Sequence, residues 1–353
     1  MTDKGHRLHG RGAARTTPLT GGWTVLLSLV AFSTVAAAQT NAPPPAPPAS
    51  PAAAGVSPLP ATLSEKARVA ITTNAAANPK ANASLAEQRA FIDQYQQTFS
   101  AEQRKKYAVD VADAVMAGVP VRLVTAKGTT MSSRRVLLNL HGGGFMVDSG
   151  SLTENIPVAA LTGIPVVAVR YRLSPEHRFP AAVDDGLAVY RELLKTHKAG
   201  DIGIYGTSAG AVLGPELIAR IRAEKLPMPA LLGIFSGDGD LSRPGDTVTG
   251  QKLDLGMVTG VYLQSGQRLT DPMISPLLGD LKGFPPTLCL TSSRDFLLSD
   301  TANFCRALDQ AGVDNKLVMF DGLPHAFWAY IDAPESDQAF AIMARFFKDR
   351  LGK

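Results

Sequence analysis

A serine held between two glycines, Gly206-Thr207-Ser208-Ala209-Gly210, follows the apolar run Ile202–Tyr205 and precedes a helix-compatible stretch from Ala211. At a strand-to-helix turn this tight, the positions of Gly206 and Gly210 tolerate no side chain, and the serine hydroxyl is pushed into the open as a nucleophile. The helix N-terminus behind it offers amide donors for developing negative charge. Upstream, His141-Gly142-Gly143-Gly144-Phe145 closes another apolar run. Bare backbone of this kind can aim N–H groups at a carbonyl oxygen as it becomes an anion. Gly143, Gly144 and Ala209 are the expected donors of such an oxyanion hole. Gly142 is needed for the turn, and His141 is expected to brace the loop through hydrogen bonds.

A nucleophilic serine needs a base, and the six histidines leave one strong candidate. His6 and His9 lie ahead of an apolar N-terminal run, His197 sits in the basic cluster Lys195-Thr196-His197-Lys198, and His177 belongs to an extended Ser174-Pro175 turn. His325 follows the apolar run Leu317–Phe320 within Gly322-Leu323-Pro324-His325-Ala326-Phe327. The acid that orients it should also stand just past a strand. Asp295 is the first carboxylate after Thr287–Thr291; Asp300 is a competitor farther along, where a helix has begun, and Asp321 could be only a strand cap. The expected catalytic set is therefore Ser208, Asp295 and His325, with chemistry proceeding through an acyl-enzyme.

Positioning these groups requires strand ends gathered on one side of a sheet. Short apolar, β-branched runs at Val136–Leu140, Val166–Tyr171, Ile202–Tyr205, Leu231–Phe235, Thr287–Thr291 and Leu317–Phe320 alternate with helical stretches. That alternation predicts an α/β fold, a mostly parallel central sheet flanked by helices, with ligands at the carboxyl ends of the strands. From about Ser84 to Ala117 the pattern reads as helical. Ser84-Leu85-Ala86-Glu87 has capping-box spacing, Phe91, Tyr95 and Phe99 recur every four residues, and Ser100 and Gln103 could start a second helix ended by Gly118. These helices precede the first clear strand and are expected to form a cap, with Leu241–Leu269 as a further contributor.

The chain of 353 residues, 45% hydrophobic and 19% charged, is sized for one large catalytic domain. Of its net charge of +4, the first 38 residues supply +3, from Lys4, Arg7, Arg11 and Arg15 against Asp3. The near-neutral remainder gives no electrostatic case for nucleic acid. The basic lead, the apolar run Trp23–Ala38 and its Ala36-Ala37-Ala38 ending have the layout of a secretory signal, cut after Ala38, which places the protein in the periplasm or outside the cell. An uncleaved membrane anchor, or a start codon assigned upstream of the true one, are the alternatives. Membrane contact is expected only through this segment. Residues 39–60, rich in Pro and Ala, read as an extended linker. The expected division is thus 1–38 signal, 39–60 linker, 61–120 N-terminal helical cap segment and 121–353 catalytic domain. Cys289 and Cys305 read as buried free thiols, and no metal-ligand spacing is present.

With these residues in place, the stretch from about Val121 to Leu351 resembles the hormone-sensitive-lipase-like bacterial esterases of the α/β-hydrolase superfamily. The resemblance rests on His141–Phe145, Tyr171–Ala182, Gly206–Gly210, Asp271-Pro272, Ser275-Pro276-Leu277, Pro285-Pro286, Asp295 and His325, in that order along the chain. The order nucleophile, acid, base is also that family's. The resemblance implies hydrolysis of short acyl esters, no cofactor, a small-molecule ester as partner, and a cap built partly from the N-terminal segment. The chain departs from the family's usual pattern at Phe296, where proline is usual, and at Ala326 and Ala211, where glycine is usual. The same triad would also serve a lactone hydrolase, a deacetylase, a peptidase or an acyltransferase. A non-catalytic binder is disfavoured by the retention of all three residues.

Overall fold

A computed structural model describes residues 58–74, 83–246, 256 and 258–351. The expected signal, and the linker up to residue 57, lie outside the described residues. Pro58 to Pro60 do not behave as free tether, because the Pro58 carbonyl accepts from Arg294 Nη2 at 2.7 Å and the Pro60 carbonyl from Leu63 N at 3.3 Å. Two helices come first, α1 (Glu65–Asn74) and α2 (Leu85–Lys106). The α2 start is a complete capping box. Glu87 N donates to Ser84 Oγ, and the Glu87 carboxylate accepts from Ser84 N.

Beyond α2 the structure corrects the sequence reading. α2 runs unbroken through Ser100 and Gln103, and the expected second helix is instead a strand, β1 (Val109–Met116). It turns at Ala117 (φ 50°) and Gly118 (φ 81°) into β2 (Val119–Ala126), with Met116 opposite Val119. Two successive left-handed residues make the tight hairpin turn that matches strand twist. Ladder pairing with β2 thereby overrides the helix propensity of an alanine-containing run. The sheet therefore begins at Val109, ahead of the boundary expected near residue 120.

The remaining elements are β3 (Val136–Leu140), α3 (Asn155–Thr162), β4 (Val166–Val169), α4 (Ala181–Leu194), β5 (Ile202–Thr207), α5 (Ala209–Ala223), β6 (Leu231–Phe235), β7 (Thr287–Arg294), α6 (Leu298–Gln310), β8 (Asn315–Pro324) and α7 (Pro334–Arg350). Among the described residues eight strands form one sheet in the order β1-β2-β4-β3-β5-β6-β7-β8. The β1–β2 and β2–β4 pairs are antiparallel, and the pairs from β4 through β8 are parallel. The central strands β3, β4, β5 and β6 are buried at every residue, which is why they read as continuous apolar runs. One face packs against α4, α5 and α6 through Val183, Leu187, Leu217, Ile218, Phe304 and Leu308. The other packs against α3 and α7 through Ile156, Val158, Phe340, Met343 and Phe347. Cys289 in β7 and Cys305 in α6 are buried and free, as expected.

The buried side of α2 is partly polar, because it faces loops rather than sheet. Gln96 Nε2 donates to the Asp148 carbonyl at 2.6 Å, Gln96 Oε1 accepts from Leu152 N at 3.1 Å, and Gln103 Nε2 donates to the Thr153 carbonyl at 2.9 Å. Arg89 Nε donates to the Met146 carbonyl at 2.8 Å and Nη2 to the Ser174 carbonyl at 3.0 Å. Tyr95 Oη donates to the Tyr330 carbonyl, in the segment after β8, at 3.0 Å.

Candidate active site

β5 stops at Thr207 and α5 starts at Ala209, leaving Ser208 alone in the turn at φ 56°, ψ −122°. That conformation is costly for a residue with a side chain, and the surroundings enforce it. A Cβ on Gly206 would lie 2.7 Å from the Leu140 carbonyl oxygen and overlap that of Gly210. A Cβ on Gly210 would overlap the Leu140 oxygen. Both glycines therefore permit the first turn of α5 to press against the end of β3. Ser208 N donates to the Phe235 carbonyl at 2.9 Å, which ties the turn to β6. The Ser208 side chain is half-buried.

His325 follows the last residue of β8, and Asp295 the last residue of β7. The structure brings both to Ser208. His325 Nε2 lies 2.9 Å from Ser208 Oγ, and His325 Nδ1 lies 2.7 Å from Asp295 Oδ1. Asp295 is fully buried. Burial pushes its carboxyl up, but the facing imidazole of His325, the Ser236 hydroxyl and the Leu297 amide outweigh this and hold it below the usual carboxylate range. An ionised Asp295 fixes Nδ1 as the donor and leaves Nε2 to accept from Ser208 Oγ–H. Asp300 instead accepts from Gly245 N at 2.6 Å. Asp321, inside β8 rather than capping it, accepts from Ser293 Oγ at 3.1 Å and Thr62 Oγ1 at 3.2 Å. His197 is half-buried with Nε2 3.1 Å from the Ser133 carbonyl oxygen.

The glycine loop lies directly beside the nucleophile. A Cβ on Gly142 would sit 3.4 Å from Ser208 Cβ and 3.1 Å from the Thr207 carbonyl oxygen. Gly143 and Gly144 take φ of 117° and 59°. Among the described residues nothing accepts a hydrogen bond from the amides of Gly143, Gly144 or Ala209. His141 is buried. Its Nδ1–H donates to the Gly142 carbonyl at 2.7 Å, its ring stacks on Tyr171 at 4.1 Å, and Tyr171 Oη donates to the His141 carbonyl at 2.8 Å. Phe145 closes the loop against Tyr262, ring centroids 3.9 Å apart. Tyr262 belongs to a short π-helical turn, Val258–Tyr262, within the stretch expected to contribute to the cap.

Several supporting residues escaped the sequence reading. Ser236 and Thr291 both donate to Asp295 Oδ2, the latter at 3.1 Å. Ser236 is the first residue after β6, so the rule that singled out Ser208, Asp295 and His325 applies to it too. Tyr330 Oη donates to the His325 carbonyl at 2.5 Å, and no local pattern announces that contact. Phe296, where the resemblance led one to expect proline, lays its ring 4.3 Å from the His325 imidazole. Ala326, where glycine is usual, stands at φ 52°.

One buried acid beyond β6 sets a pH dependence. Burial pushes the Asp238 carboxyl up to about 7, reinforced by Asp300 and Asp240 against the amides of Gly239 and Asp240. Its Oδ2 has no partner among the described residues. The folded protein keeps a proton that the unfolded chain loses near the ordinary aspartate value of 3.8, so this contribution to stability is full below that value and fades as pH rises through about 7. Asp238→Asn should therefore flatten the fall in thermal midpoint between about pH 5 and about pH 8, and be the more stable protein at the upper end. Parallel curves for the two proteins would count against a raised Asp238.

Comparison with known proteins bears on the fold and the family. Residues 137–329 match a family model described as the alpha/beta hydrolase fold. An esterase of Acinetobacter venetianus is 33% identical over 245 residues, spanning 64% of this chain and 80% of that protein. An acetyl-hydrolase of Streptomyces hygroscopicus is 33% identical over 235 residues, 62% of this chain and 77% of its own length. Among solved structures, an esterase superposes with a TM-score of 0.70 at 31% identity, covering 84% of this chain and 97% of that one. An esterase from the bacterial hormone-sensitive lipase family gives 0.68 at 27% identity, with 78% and 94% coverage.

Proposed function

This chain belongs to the α/β-hydrolase family, among its hormone-sensitive-lipase-like esterases, and on that premise we propose that it is a serine carboxylesterase for short acyl esters. The carboxylic ester hydrolase class comes with the family; the residues and the acyl size are our reading. It is carried by the continuous line from Asp295 through His325 to Ser208, at 2.7 and 2.9 Å.

His325 Nε2 takes the proton of Ser208 Oγ as the oxygen attacks the ester carbonyl, and Asp295 stabilises the imidazolium that forms. The carbonyl oxygen becomes an anion beside the open amides of Gly143, Gly144 and Ala209, at the N-terminus of α5. His325 then returns the proton to the departing alcohol, leaving an acyl-Ser208 ester. Water, deprotonated by the same imidazole, attacks this ester; the acyl–Oγ bond breaks, His325 returns the proton to Ser208 Oγ, and the carboxylic acid leaves. Every step is acid–base or nucleophilic chemistry of side chains and amides.

One observation supports short acyl groups: the Streptomyces relative is an acetyl-hydrolase. A series of p-nitrophenyl esters from acetate through butyrate and caprylate to laurate checks the reading. The expected kcat/KM peaks at acetate or butyrate and falls steeply beyond caprylate. A maximum at laurate would overturn the acyl-size proposal, and a protein inert on every ester would overturn the enzyme. Export through residues 1–38 is part of the same proposal, and a mature chain starting at Gln39 in the periplasmic or culture fraction is its expected signature.

A further inference from the structure

Two consecutive residues at the end of β6 are tied to Ser208, to Asp295 and to the residue after His325. The Phe235 carbonyl accepts from Ser208 N at 2.9 Å. Ser236, the next residue, is fully buried, and its hydroxyl is engaged twice. The hydroxyl proton goes to Asp295 Oδ2, and the oxygen accepts from Ala326 N at 3.3 Å. Ser236 N donates to the Leu290 carbonyl of β7 at 2.7 Å, so the residue is also fixed in the sheet. Its backbone stands at φ 52°, in the left-handed region, as does that of Ala326. A Cβ makes that conformation costly. Glycine would adopt it freely and turn the chain just as well. What glycine cannot supply is the hydroxyl.

We propose, on the serine-esterase reading of the site, that Ser236 is a positioning residue whose hydroxyl registers the Asp295 carboxylate against the loop that carries His325. Asp295 Oδ1 accepts from His325 Nδ1 at 2.7 Å and from Leu297 N at 2.9 Å. Oδ2 accepts from Ser236 and, at 3.1 Å, from Thr291 Oγ1. With donors on both oxygens, the carboxylate keeps the one orientation that presents Oδ1 to the imidazole. Ser236 alone among these donors also holds the amide that follows the base. Without its hydroxyl, Oδ2 is left with one donor, Ala326 N loses this acceptor, and the acid and base loops no longer share a common atom. Asp295 is needed most as His325 becomes an imidazolium. Misalignment of the pair is therefore felt in the transition state rather than in substrate binding.

Ser236→Ala and Ser236→Gly both delete the hydroxyl but differ in backbone cost, and the pair separates positioning from folding. On p-nitrophenyl butyrate, kcat per titrated active site should fall about 10- to 100-fold in each, with KM within about twofold of wild type. Ser236→Gly should melt at a higher temperature than Ser236→Ala, because glycine is at ease at φ 52°, and yet be no faster. Greater stability without recovered turnover is a combination that a purely structural serine would not produce. Wild-type kcat per active site in either variant would overturn the proposal. So would a Ser236→Gly protein that regains the turnover lost in Ser236→Ala, since the backbone and not the hydroxyl would then be at fault. If Ser236→Ala does not fold, Ser236→Gly decides alone. If neither folds, Ser236→Cys keeps the shape and weakens the donor, and wild-type kcat in that protein overturns the proposal. Ser208→Ala run alongside keeps the two readings apart. An inactive Ser208→Ala with fully active Ser236 variants leaves the esterase mechanism standing and removes Ser236 from it. An active Ser208→Ala removes the mechanism itself.

Discussion

Ser208→Ala should lower kcat on a short p-nitrophenyl ester by roughly three orders of magnitude or more, and His325→Ala by about as much. Each substitution deletes one end of the 2.9 Å contact through which the attacking proton leaves. Neither side chain is buried as core, since Ser208 is half-buried and the His325 side chain is 18% exposed. Far-UV dichroism and thermal midpoint should therefore stay close to wild type, which separates loss of chemistry from loss of fold. The double variant should be barely slower than either single one, because the two groups act as a unit. Multiplying losses would mean that they act independently, and the proton-transfer scheme would have to be abandoned.

The second large effect distinguishes two neighbouring glycines that carry the same proposed role. At Gly143 (φ 117°), a Cβ would overlap the Val147 carbonyl oxygen and come within 2.8 Å of its carbon. Gly144 (φ 59°) has no heavy atom within 4 Å of the place a Cβ would take. Gly143→Ala must move the loop that presents the amides, and its kcat should drop by about 10²- to 10³-fold. Gly144→Ala meets only the left-handed backbone penalty, about 1–2 kcal/mol. It should lose up to that much stability in a urea titration and retain activity within about tenfold of wild type. Equal damage from the two substitutions would refute the steric account of this loop.

The site was more legible in the sequence than the scaffold around it. Ser208 could be read because its constraint is local: strand, two glycines and helix lie within a dozen residues. Asp295 stands just past β7 and His325, singled out among six histidines, just past β8; Ser236 stands likewise just past β6. Tyr330 offers no such handle: it contacts the His325 carbonyl, and only the folded chain brings the two together. The misreading of Val109–Met116 has a different cause. Its alanines favour helix, while its alternating valines and the Ala117-Gly118 turn favour a hairpin. Pairing with β2 decides between them, and pairing is not a property of the segment alone.

The helix that precedes this hairpin has a consequence for how the site can move. Through Gln96, α2 holds the loop that follows β3, and through Tyr95 it holds the Tyr330 carbonyl, whose own hydroxyl holds His325. The amide side and the proton-transfer side of the site thus share one anchor outside the sheet. A displacement of α2 would therefore strain both sides of the site together.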